Sequence, residues 1–180
     1  MNFFKYIKIY FFAFAFMLVT TNCEKDDICD PATETTPMLT IEFYDAVETT
    51  ILKNVQNLTV QEINSNERLN FNSDLLGTPQ YTITANKISI PLKSLELQTT
   101  YRLIFNANND DTKNEDIVQF NYQTQDIYLN RACGFKTIYQ NLTQPIVSNP
   151  NNDNLFWINQ MQVTNNQINS SKDVHVKIYF

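Results

Sequence analysis

Few side chains in this sequence suit catalysis. His175 is the sole histidine among 180 residues. It alternates with Val174 and Val176 and adjoins Lys177, so it is expected on a solvent-facing strand face rather than in a catalytic centre. Carboxylates come in adjacent pairs, Asp110-Asp111 and Glu115-Asp116, within a turn-rich stretch. Acid–base work or weak calcium binding would need such groups. The stretch lacks the regular Asp spacing of calcium loops, so solvated turn charges are the expectation. No Gly-x-Ser-x-Gly elbow occurs, and a chain with 2 glycines cannot build a phosphate-cradling loop. No Cys-x-x-Cys accompanies the histidine, which leaves zinc without a ligand set. The residues therefore predict no enzyme, no metal site and no cofactor. Aromatic rings offer a different chemistry. Trp157, Tyr101, Tyr122 and Tyr128 are the candidates for stacking on a sugar, although core packing is the commoner fate of such rings.

The most specific pattern lies at the front. Lys5 and Lys8 precede an apolar run that ends at Val19, and Thr20-Thr21-Asn22 lead to Cys23. A positive start, a greasy centre and a short polar exit form the layout of an export signal. The run falls short of the roughly 20 apolar residues of a spanning helix, so cleavage is preferred over a retained anchor. The segment resembles the signal of bacterial lipoproteins, in which the cysteine after the cut accepts lipid. Its Thr-Thr-Asn box departs from the usual leucine-led one and is similar to the looser boxes of Bacteroidetes. The resemblance implies lipidation of Cys23 and lasting attachment, because two or more acyl chains hold where one does not. Glu24-Lys25-Asp26-Asp27 then looks like the surface-export signal of Bacteroidetes lipoproteins. It implies an outer-membrane protein exposed on the cell surface in preference to the periplasm.

With Cys23 taken by lipid, Cys29 and Cys133 remain. An exported chain meets oxidising conditions, so an even remainder suggests a disulfide; two free buried thiols are the alternative. Such a bond would staple the end of the tether to the domain.

These residues need elements to hold them. Residues 1–22 read as signal peptide, 23–37 as a lipidated tether carrying Pro31 and Pro37, and 38–180 as the folded domain. Period-two alternation recurs at Leu39/Ile41/Phe43, Leu58/Val60, Ile88/Ile90/Leu92, Tyr101/Leu103/Phe105, Val118/Phe120/Tyr122, Phe156/Ile158 and Val174/Val176/Ile178/Phe180. Pro91 marks its strand as an edge. Residues 46–54 read as a loop with a short turn. No stretch sustains a 3.6-residue period. The pattern predicts an all-β chain, a β-sandwich of immunoglobulin-like or related Greek-key type with about 7–9 short strands. A membrane barrel, suggested by the terminal Phe180, would need strands of about ten residues, longer than most runs here. Asparagine is abundant and is expected to take over glycine's work at positive-φ turns. Three Asn-x-Ser/Thr sequons, at Asn57, Asn141 and Asn169, read as coincidence in so Asn-rich a chain.

Charge narrows the partners. The full chain carries −6. Loss of residues 1–22 removes two lysines and leaves 11 basic against 19 acidic residues, a net of −8. Such a chain repels phosphate backbones, so no nucleic-acid partner is expected, and its lipid rather than its charge must hold it to a membrane.

The Cys23-to-Cys29 spacing, Thr36-Pro37 before the first strand, and Arg131-Ala132-Cys133-Gly134-Phe135 together resemble a family of flavobacterial lipoproteins of unknown function. The resemblance implies localisation and fold and brings no activity. Gly134 is read as a bend that aims Cys133 at Cys29. The expected role is a non-enzymatic envelope lipoprotein that binds a protein partner or serves as a structural accessory. A surface glycan-binding module is the alternative.

Overall fold

A computed structural model describes residues 28–150 and 155–180. The signal segment, Cys23 and Glu24-Lys25-Asp26-Asp27 lie outside the described residues. Among the described residues eleven strands follow one another, with one 3-10 turn at Thr78–Tyr81. They are β1 (Leu39–Tyr44), β2 (Val55–Glu62), β3 (Ile83–Ala85), β4 (Lys87–Ile90), β5 (Gln98–Phe105), β6 (Asn114–Asn121), β7 (Gln123–Asn130), β8 (Gly134–Gln140), β9 (Ile146–Ser148), β10 (Gln160–Val163) and β11 (Val176–Tyr179). The fold is all-β and sandwich-like, with more strands than expected because the β7–β8 hairpin and the short β3 and β9 carry little apolar alternation.

Two main sheets form, in the orders β10-β11-β1-β4 and β3-β2-β5-β6-β9, and β7-β8 pair with each other. Pairing is antiparallel except between β1 and β11, where Ile41 lies opposite Val176 and Phe43 opposite Ile178. The alternation explains the arrangement. Leu39, Ile41 and Phe43 of β1, Leu58 and Val60 of β2, Tyr101 and Leu103 of β5, and Val118 and Phe120 of β6 all enter one buried cluster. Burying a side chain of this size stabilises by about 1.5–3 kcal/mol. β4 is an edge strand, as Pro91 requires. Residues 46–54 form the expected loop, with a bridge between Tyr44 and Leu52.

The four non-glycine residues with positive φ among those described are Asn57, Asn66, Asn106 and Asn141. Asparagine tolerates the left-handed region better than most residues, and a chain this poor in glycine uses it there.

Two expectations need correction. Phe156 and Ile158 do not belong to a strand, because residues 155–159 run irregularly before β10. Asp116, fully buried near the start of β6, draws them in. Its Oδ2 accepts the backbone N–H of Trp157 at 3.1 Å and of Ile158 at 2.9 Å. Charge-assisted bonds of this kind are worth about 1.5–3 kcal/mol each, enough to outweigh a local strand preference. The pair Glu115-Asp116 is therefore half structural anchor, while Glu115 meets Arg102 and Lys113 at 3.6 Å each.

His175 is the second correction. It is fully buried, not solvent-facing. Residues 34–38 and the turn around Ser171 cover the outer face of the sheet there. Met38 N–H donates to Ser171 Oγ at 2.8 Å, the Thr40 hydroxyl donates to Ser171 O at 2.7 Å, and Ser171 N–H donates to Glu34. The His175 N–H donates to Thr40 O, and Thr40 N–H donates back to Nδ1, both at 3.0 Å. Nδ1 is thus an acceptor, which fixes a neutral ring with its proton on Nε2. Burial holds the pKa of this histidine below its ordinary 6.5, against the opposing pull of Asp173 and Glu34. A depressed histidine contributes stability that is complete above the unfolded value and is lost as pH falls through the folded one. In the window below pH 6.5 the unfolding free energy is expected to fall with acidification, with a slope of up to about 1.4 kcal/mol per pH unit. Chemical denaturation across that window checks it. His175→Asn, whose Oδ1 can still accept from Thr40, should flatten the slope; an unchanged slope refutes the assignment.

Candidate functional site

Residues 29–38 do not hang free. Cys29 is bonded to Cys133, with Cα atoms 4.8 Å apart. Thr36 Oγ1 accepts the N–H of Thr137 on β8 at 3.4 Å, and Pro37 is buried. The segment read as tether therefore runs from the tip of the β7–β8 hairpin back to the sandwich, where β1 begins.

The tip is built locally. Asn130 Oδ1 accepts the Cys133 N–H at 2.7 Å and closes the turn. Gly134 adopts φ +68°, and a Cβ there would meet nothing within 4 Å, so its backbone conformation alone explains the glycine. Along one face of β8 burial falls off steadily. Tyr139 lies in the core, Thr137 is half-buried and bonded to Asp126, and Phe135 is 68% exposed. Tyr128, opposite Phe135 across the hairpin, is 58% exposed. The two rings meet edge-to-face with centroids 5.3 Å apart. Ile28, next to the cystine, is 82% exposed. Arg131 and Lys136 supply positive charge at the turn, with Asp126 on β7 and Asp30 brought in beside Cys29.

Of the four aromatic residues expected to stack on sugars, Tyr128 alone is exposed. Trp157, Tyr101 and Tyr122 are interior. Their polar atoms do structural work. Trp157 Nε1 donates to Leu103 O at 3.1 Å. Tyr101 donates to Pro91 O at 2.6 Å, Tyr139 to Leu92 O at 2.7 Å and Tyr122 to Lys93 O at 2.9 Å. Three tyrosines thus hold three successive carbonyls of the segment that leaves β4 for β5. Tyr122 also shares a hydrogen bond with Thr99, whose Oγ1 accepts the Lys93 N–H. Burial raises all three phenols, Tyr139 to about 12. Sequence reading missed this clamp, since alternation marks the tyrosines as core without showing where their hydroxyls end.

A groove of about 500 Å³ lies beside the clamp, lined by Pro37, Met38, Leu69, Phe71, Pro91 and Leu92 among others. A neighbouring hollow of about 490 Å³ shares Leu69 and Pro91 and is bordered by Glu62 and Lys93. Lys93 pairs with Glu62 at 3.2 Å and with Glu96 at 3.0 Å. Burial disfavours the Glu62 charge, but N–H groups of Ser65 and Asn64 together with Lys93 prevail and hold its pKa below the usual range. These groups are paired, and among the described residues no cluster of three or more His, Cys, Asp or Glu is arranged to hold a metal ion.

The architecture is thus a two-sheet β protein with a cystine-capped hairpin projecting from it. The chain belongs to a family of unknown function, DUF6452, which matches residues 57–180. The matched part includes Cys133 and the hairpin but begins after Cys29 and β1. No curated protein and no solved structure is significantly similar to it.

Proposed function

We propose that this chain is an exported lipoprotein of the flavobacterial type, acylated at Cys23 and held on the outer face of the outer membrane. There it acts without catalysis, as a protein-binding or structural accessory of the envelope. The Cys29–Cys133 bond carries the reading, because a cross-link of this kind persists outside the reducing cytoplasm. The burial of the sole histidine and the structural use of Asp116 and Glu62 favour a role other than catalysis. The apolar groove beside Phe71 is where an extended segment of a partner fits. Glycan binding loses most of its aromatic platform, since three of its four rings are interior.

Mass spectrometry of membrane-derived protein should find an acylated Cys23 at the amino terminus and residues 29 and 133 as cystine. Protease treatment of intact cells should remove the domain. An unmodified residue 23 with both other sulfurs reduced overturns the reading. Crosslinking in membranes should enrich one defined partner, lost on Phe71→Asp; a monomer without one counts against the binding role.

A further inference from the structure

We infer that the hairpin tip, through Tyr128, Phe135 and Ile28, rests in the interface of the bilayer that holds the anchor. This rests on acylation at Cys23. Six residues lead from Cys23 to Cys29, a span of at most about 20 Å when fully extended. The cystine fixes the end of that span to the turn after β7. The tip therefore cannot leave the headgroup region by more than this distance, whatever path residues 23–28 take. A small domain measures about 30 Å across, so no folded partner fits between tip and membrane. The exposed side chains suit lipid instead. Tyr128 and Phe135 are 58% and 68% exposed and form one ring pair, and Ile28 adjoins the cystine. Aromatic rings favour the membrane–water boundary. Arg131 and Lys136 are balanced at the tip by Asp126 and Asp30, so its apolar side chains rather than its charge would hold it at the boundary. The sandwich then stands on its hairpin, with the β1–β2 loop at the far end, since β1 runs from the hairpin side at Leu39 to Tyr44 and Val47 beyond it.

The test uses the full acylated protein in phosphatidylethanolamine–phosphatidylglycerol vesicles, with and without brominated acyl chains. Trp157 is the only tryptophan and is buried, so it supplies a constant background. Phe135→Trp, or Tyr128→Trp if the first folds poorly, reports from the tip. Val47→Trp, at an 89% exposed position, reports from the far end. Bromination should cut the added emission of the tip reporter at least twofold and leave the Val47→Trp signal unchanged. Protein that floats with vesicles but shows no quenching at the tip overturns this inference and leaves the anchor standing. Equal quenching at both positions also overturns it. So does a tip signal that changes only with protein density, which would place a second copy there. Protein that fails to float removes the anchor and this inference together.

Discussion

Loss of the Cys29–Cys133 bond is expected to lower the unfolding free energy by about 4–5 kcal/mol. The bond closes a loop with a sequence separation of 104 residues, and the chain-entropy model gives about 4.7 kcal/mol for a 100-residue loop. For a domain of this size each kcal/mol corresponds to about 2–4 °C, so the midpoint should fall by roughly 10–20 °C. Thermal melts of Cys29→Ser/Cys133→Ser against the parent check this, with reductant added to the parent as the independent arm. The loss should be local as well as global. Without the bond, the segment from 29 to 38 keeps few ties to the hairpin, such as the Thr36–Thr137 contact. Proteolysis should then cut near residue 30 well before the sandwich unfolds. A midpoint shift below about 3 °C would mean that the segment and hairpin dock without the bond.

On the proposed acylation of Cys23, the same cross-link shortens the leash between lipid and domain. If the leash ended at Met38, fifteen residues would separate lipid from domain, and the sandwich would sample a wide volume. With the strap closed at residue 29, the free length is six residues. On that proposal the difference decides whether the domain roams or stands against the surface, and the exposed hairpin rings would then face lipid.

What the sequence made legible follows from burial on one side. The runs at Leu39–Phe43, Leu58–Val60, Ile88–Leu92, Tyr101–Phe105, Val118–Tyr122 and Val174–Phe180 alternate because most of their alternate residues pack in or against the shared core, and each contains a strand, with Leu92, Tyr122, Val174 and Phe180 just outside theirs. The cysteine pair was legible from parity, on the expectation that Cys23 accepts lipid in an exported chain. The β7–β8 hairpin was not. Most of it extends beyond the core, so Gln123, Gln125, Asp126 and Asn130 obey no apolar period. His175 misled because alternation reports one sheet face, while the outer face here is covered by residues distant in sequence, Glu34 to Met38 and Ser171. Asp116 misled because an acidic side chain in a turn-rich stretch reads as solvated, and its backbone partners lie 41 and 42 residues away. Local pattern locates the core; it does not reveal which polar groups are brought into it by long-range closure.

Trp157→Ala is expected to cost about 3–5 kcal/mol and to act on the fold rather than on any ligand. Trp157 lies where the two sheets meet. Its ring stacks on Phe105 of β5 at 5.7 Å and meets Phe180, just after β11, edge-on at 5.7 Å. Phe180 in turn meets Phe43 of β1 at 6.3 Å. The indole N–H donates to Leu103 O, so truncation loses this buried hydrogen bond in addition to leaving a cavity. Trp157→Phe keeps most of the ring volume and loses the hydrogen bond, so it should cost less, about 1–3 kcal/mol. Denaturant titration of the three proteins, followed by far-ultraviolet circular dichroism, ranks them. A glycan-stacking tryptophan would give the opposite pattern, with Ala and Phe variants as stable as the parent and altered only in binding. The interior position, the backbone anchor on Asp116 and the two ring neighbours all argue for the first ranking. Equal stability of the parent and Trp157→Ala would show that this residue does not lock the sheets together.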